Sequence, residues 1–254
     1  MTSGKEGSSR KDQIREKRRR EKRQQRFIFV LGIALVVIII GVVVLVPIIR
    51  DNLTPVGSIL SITPVPRPKA QGMAMGDSTA PVKIDVWEDF QCPSCLEFTD
   101  TVEPQIMTNL IATGKIYYVF HNYPFIDDRV NGTESHQAAN AAMCAADQSR
   151  FWDYHDMLFK NQDPNGENLG AFVNKRLVAF AQALGLDMNK FNQCFNANTF
   201  KAKIDQDKAD GDKAGVNGTP SVFVNGKIVN PGYIPSYTDI VNAVNAASVS
   251  GTTK

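Results

Sequence analysis

Residues 80–95 read Ala80-Pro81-Val82-Lys83-Ile84-Asp85-Val86-Trp87-Glu88-Asp89-Phe90-Gln91-Cys92-Pro93-Ser94-Cys95, and this stretch decides the fold. Its first half alternates Val82, Ile84 and Val86 against Lys83 and Asp85, the period-two pattern of a half-buried strand. Its second half opens a helix. Pro93 falls in the first turn, where a missing amide donor is harmless, and Leu96, Val102, Ile106, Leu110 and Ile111 supply an apolar face that ends near Gly114. Residues 115–120 (KIYYVF) form a second strand, β-branched and aromatic. A helical crossover joins the two strands, so they should run parallel.

Downstream, residues 220–224 (PSVFV) and 227–229 (KIV) flank Asn225-Gly226, the strongest short hairpin signal. An amphipathic helix from about Tyr237 to Ala247 closes the pattern. Between the second strand and the hairpin the periodicity is helical, at residues 135–148, 151–161, 169–184 and 199–214. The first three belong to a helical subdomain inserted at about 126–198, and the last returns the chain to the sheet.

Upstream, residues 27–49 (FIFVLGIALVVIIIGVVVLVPII) contain no charged side chain and are long enough to span a bilayer. Residues 1–26 carry 11 Lys/Arg against 4 Asp/Glu, whereas Arg50 stands alone after the apolar run. This asymmetry places a basic tail, 1–26, in the cytoplasm and the body outside. A cleaved signal peptide is the competing reading, but its apolar region is shorter and ends at small residues, which PIIRDNL does not supply. Residues 50–75 hold Pro55, Pro64, Pro66 and Pro68 with little periodicity and read as an extended linker to a domain at 76–250.

The formal charge of +2 conceals this layout, because residues 27–254 carry 17 basic and 22 acidic side chains. A mildly acidic body argues against nucleic acid as a partner, and the anchor makes membrane lipid one. All four cysteines, Cys92, Cys95, Cys144 and Cys194, lie beyond the span, and an even count in an oxidising compartment suggests two disulfides.

Cys92-Pro93-Ser94-Cys95 carries the chemistry. Two intervening residues let both sulfurs occupy one helical turn and close a reversible disulfide. Amides and dipole at a helix N-terminus stabilise a thiolate, which makes Cys92 the nucleophile and Cys95, one turn deeper, the resolving thiol. Zinc is the rival use of such a pair. Cys144 and Cys194 are too far apart to form a second knuckle, and His121, His136 and His155 stand outside ligand spacing. A purely structural bridge would gain little entropy from so short a loop. No metal and no bound cofactor is expected.

Residues 76–84 (GDSTAPVKI) with Trp87–Cys95 (WEDFQCPSC) resemble the opening and active site of the DsbA-like thiol-disulfide oxidoreductases, a branch of the thioredoxin-like superfamily. Residues 135–161 (SHQAANAAMCAADQSRFWDYHDMLFKN) are similar to that family's helical insertion, and residues 216–221 (VNGTPS) to its cis-proline loop. The resemblance covers about residues 75–247. It implies an α/β thioredoxin-like fold with an inserted helical subdomain, preceded here by one transmembrane helix. It also implies that Pro220 follows a cis peptide and that Thr219 offers its backbone to a substrate chain. Some members hold a buried acid six positions before the first cysteine. That position is Val86, with Glu88 and Asp89 as the nearest acids. Other members carry a second disulfide in the insertion, where Cys144 and Cys194 fall; two buried free thiols are the alternative.

By this resemblance the Cys92–Cys95 disulfide passes to the reduced cysteines of exported proteins, and a membrane reoxidase of the DsbB or vitamin-K-epoxide-reductase type restores it. An isomerase or reductase would use the same parts. A chaperone-like or regulatory module of a membrane complex would not need the cysteines.

Overall fold

The structure, a computed structural model, describes residues 6–53 and 56–251. The chain divides into two compact units, Met1–Pro55 and Val56–Lys254. The first contains a single helix, α1 (Glu6–Leu53), in which basic tail and apolar stretch are continuous. Its segment Lys17–Val43 is long and apolar enough to cross a membrane. Side chains such as Phe29, Ile33, Val37 and Ile40 are exposed along it. A bilayer would cover them.

The second unit is built on a five-stranded sheet. Its strands are β1 (Ala74–Gly76), β2 (Val82–Glu88), β3 (Ile116–Asn122), β4 (Ser221–Val224) and β5 (Lys227–Ile228), in the order β1-β3-β2-β4-β5. β2 and β3 are parallel, as the crossover requires, and every other pairing is antiparallel. The hairpin turns through Asn225 and Gly226, both at positive φ (46° and 76°). Two left-handed residues in succession match a type I′ turn, whose twist suits the strands.

The crossover is less regular than its sequence suggests. α2 (Pro93–Thr101) stops where Pro104 cannot donate to the preceding turn, a short α3 (Glu103–Ile106) follows, and Met107–Ile111 form a π-helical turn. β2 also differs from expectation. Rather than half-buried, it is covered on both faces, with Asp85 and Trp87 buried as well as Val82, Ile84 and Val86. The second face lies under α9 (Lys201–Ala214), which approaches closely because Gly211 has no side chain. A Cβ there would stand 2.9 Å from the Trp87 ring. Trp87 in turn donates to the Asp207 carbonyl and stacks on His121 at 4.5 Å.

The insertion comprises α4 (Phe125–Val130), α5 (Glu134–Ala146), α6 (Phe151–Lys160), α7 (Asn174–Ala183) and α8 (Met188–Asn196). It packs on the sheet face that carries Val82, Ile84 and Val86, through Phe90, Phe120, Phe151, Trp152 and His155. Truncating a buried ring such as Phe120 to alanine would cost about 3–5 kcal/mol. The last helix, α10 (Tyr237–Gly251), packs against β4 and β2.

The stretch read as a linker is part of this unit from Val56 onward. Ile59 and Ile62 pack on the core, and Ala74–Gly76 pair with β3. The Leu60 amide and carbonyl both bond the Asn161 side chain. Arg67 is buried between Glu103 and Asp156, over the Trp152 ring. Prolines keep this arm out of the sheet, but its apolar side chains and one doubly paired guanidinium fix it to the body. The domain therefore starts some twenty residues earlier than composition indicates.

Candidate active site

Cys92 occupies the N-cap of α2, with extended backbone (φ −74°, ψ 120°), and Pro93 takes the first helical position. The strand-to-helix turn is held by the Cys92 amide donating to the Asp89 carbonyl at 2.9 Å. The cap places the Cys92 sulfur beside the backbone amides that a helix leaves unpaired. Pro93 is exposed, Ser94 half-buried and Cys95 fully buried. The structure holds Cys92 and Cys95 as free thiols.

Facing them is the loop before β4. The Thr219–Pro220 peptide is cis, and in its protonated form the Cys92 thiol donates to the Thr219 carbonyl at 3.3 Å. The buried Thr219 hydroxyl has no hydrogen-bond partner among the described residues, so it is available to the sulfur. Cys92, Cys95, Thr219 and Pro220, distant in sequence, thus share one place.

Their environments push the two thiols in opposite directions. The Cys92 thiol is lowered from 9.0 to about 6 by hydrogen bonding from the Cys95 side chain, then from Thr219 and the Cys95 and Ser94 amides, against burial. Cys95 is raised well above its ordinary value by burial and then by its role as donor to Cys92. One sulfur is therefore anionic at neutral pH, and the other keeps its proton.

Two buried acids lie alongside. Glu88 projects from the same face of β2 as Val86, two residues on, and is buried. Neither Glu88 oxygen has a hydrogen-bond partner among the described residues. Burial, then the charges of Glu103 and Cys92, raise its carboxyl well above the usual range and favour its protonated form. Burial also raises Asp89, to about 7, despite its bonds from the Gln91 and Ile126 amides and the Ser135 hydroxyl. Asp89 ties the active-site turn to α4 and α5.

Sequence reading missed the loop after α6. Gln162 donates to the Phe90 and Cys92 carbonyls, and the Asn168 amide donates to the Gln91 side chain. Polar residues in an irregular stretch gave no signal that it would fold onto the cysteines. Cys144 and Cys194 stand apart in role. They are bonded to each other, joining α5 to α8 with a Cα–Cα distance of 5.8 Å. The histidines pair with aspartates: His121 with Asp85, His136 with Asp127 and His155 with Asp156.

Comparison with known proteins follows the same lines. A family model described as thioredoxin matches residues 69–243. The probable disulfide bond formation protein D of Bacillus cereus is 30% identical over 166 residues, covering 63% of this chain and 73% of that protein. Oxidised BdbD from Bacillus subtilis superposes with a TM-score of 0.62 at 22% identity, covering 76% of this chain and 100% of its own. DsbA from Chlamydia trachomatis gives 0.60 at 19% identity, with the same coverage. At these identities the two structures speak for the fold.

Proposed function

The chain belongs to the thioredoxin family and, within it, to the disulfide bond formation proteins of DsbA type; on that premise we propose that it oxidises exported proteins through Cys92 and Cys95 from the outer face of a membrane. It is a protein thiol-disulfide oxidoreductase.

One observation carries the direction: the Cys92 sulfur sits where hydrogen bonds and helix amides favour its anion, with a pKa of about 6. That anion exists in the reduced protein, so whatever stabilises it favours reduction of the pair and makes its disulfide an oxidant. In the forward step a substrate thiolate attacks the Cys92 sulfur and a substrate–Cys92 bond forms. The Cys92–Cys95 bond breaks, and Cys95 leaves with the electron pair. Its buried thiolate is unfavourable and takes up a proton, the donor role we assign to the buried Glu88 carboxyl, which then recovers its proton from solvent. A second substrate thiolate then attacks the substrate sulfur of the mixed disulfide and releases Cys92 as thiolate. The substrate loses two electrons and the pair gains them. The Thr219 backbone lies where an extended substrate segment would align beside Cys92.

The basic tail before α1's apolar stretch supports a cytoplasmic N-terminus and an outer body. Reoxidation then falls to a membrane oxidase of the DsbB or vitamin-K-epoxide-reductase type. The test is oxidative refolding of a reduced, unfolded disulfide protein by the oxidised full-length chain. Stoichiometric disulfide transfer, absent in Cys92→Ser, is expected. Preferential reduction of insulin disulfides instead would contradict the proposed direction.

A further inference from the structure

The turn that presents Cys92 is held from outside the thioredoxin half. Both hydrogens of one side-chain amide, Gln162 Nε2, are used on it: one on the Phe90 carbonyl at 2.8 Å, the other on the Cys92 carbonyl at 3.0 Å. The Cys92 carbonyl also accepts from the Cys95 and Leu96 amides, so it is the acceptor on which the first turn of α2 closes. Gln162 thus fixes both sides of the Gln91–Cys92 segment, whose flexible alternative would let the cap residue rotate. Gln162 belongs to the insertion, in the loop just after α6, and its neighbour Asn161 is itself fixed. Asn161 accepts from the Leu60 amide at 2.8 Å and donates to the Leu60 carbonyl at 2.9 Å. A continuous chain of contacts therefore runs from the arm at Leu60, through consecutive residues 161 and 162, to the carbonyl of the reactive cysteine.

We propose that Gln162 is a positioning residue for the redox pair, holding the Cys92 peptide so that its sulfur faces the α2 amides and Thr219. The role rests on Cys92 being the exchanging thiol. Its physical basis is geometric: one N–H holds the Phe90 carbonyl and the other the Cys92 carbonyl, and together they fix the cap geometry through which the helix amides reach the sulfur. A group that merely stabilised the fold would change unfolding without changing the chemistry of Cys92.

The experiment compares full-length wild type, Gln162→Ala and the near-isosteric Gln162→Met in detergent. It reads the thiolate absorbance of Cys92 against pH and its carboxymethylation rate below the wild-type midpoint. Retention of the Cys144–Cys194 bond and the thermal transition report folding. Loss of about one neutral hydrogen bond's worth of stabilisation predicts about five-fold less thiolate, and a correspondingly slower alkylation, in both variants. Should the alanine protein fail to fold, the methionine protein decides. A folded variant that titrates and alkylates like wild type overturns the proposal. A wild-type Cys92 that titrates near the ordinary thiol value would instead overturn the redox reading beneath it.

Discussion

The two cysteine pairs of this protein contain the same atoms and do different work. Cys92 and Cys95 are three positions apart, at the start of a helix, beside the Thr219 carbonyl, and are free thiols here. Cys144 and Cys194 are separated by 50 positions, lie on α5 and α8, and are joined. The first pair has its two sulfurs pushed apart in acidity, one toward the anion and the other toward the thiol. The second joins two helices of the insertion and closes a long loop. Environment, rather than the presence of a disulfide, separates a reagent from a staple.

The largest effect should come from exchanging the roles. Cys92→Ser should reduce disulfide transfer to the uncatalysed level. Replacing both Cys144 and Cys194 by alanine should leave transfer intact and lower stability by about 4 kcal/mol, the loop-entropy value for a bridge of this span. Denaturant unfolding and a refolding assay on the same samples check both halves. Loss of transfer in a folded Cys144→Ala, Cys194→Ala protein would break the comparison.

A smaller effect is expected from the proton that the first pair needs and the second does not. Glu88→Gln preserves shape and removes the ionisable proton. The rate of transfer at neutral pH should fall on the order of 10²-fold, the lower end for a positioned acid or base, with Cys92 alkylation retained. Stopped-flow mixing with a reduced peptide measures it. An unchanged rate and pH profile would show that water supplies the proton.

A further effect, on stability rather than on transfer, depends on pH. The folded Cys92 value of about 6 lies below its ordinary 9.0. Its contribution to the reduced protein is therefore full above pH 9 and lost as pH falls through 6. Over that window about 4 kcal/mol is at stake from this group, at 1.36 kcal/mol per pKa unit. The disulfide form and Cys92→Ser lack it. Denaturant titrations of reduced wild type and reduced Cys92→Ser should therefore converge as pH is lowered from 9 to 6. Parallel curves would deny Cys92 its special environment.

Local chemistry made much of this legible. The alternation at Val82–Val86, Pro93 in a first turn and Asn225-Gly226 each dictate one local structure, and together they specify the sheet and its crossover. What eluded sequence reading depends on long-range packing. Gly211 shows no sign in sequence that α9 will cover Trp87. Arg67 in a proline-rich stretch looks solvated until Glu103 and Asp156 converge on it. α8 was readable in principle, since the Asp187 side chain caps the Asn189 and Lys190 amides and Met188, Phe191 and Phe195 follow helical spacing, but its nine residues are mostly polar and eluded sequence reading. Gln162 is one polar residue among many until the loop folds.

A glutathione redox titration of the full-length chain, with the Cys92–Cys95 state trapped by acid and alkylation, tests the central claim most directly. The expected midpoint lies well above thioredoxin's ~−270 mV, toward the ~−120 mV of DsbA, while Cys144–Cys194 stays oxidised throughout. A midpoint at or below about −270 mV would contradict the assignment of this protein as an oxidant.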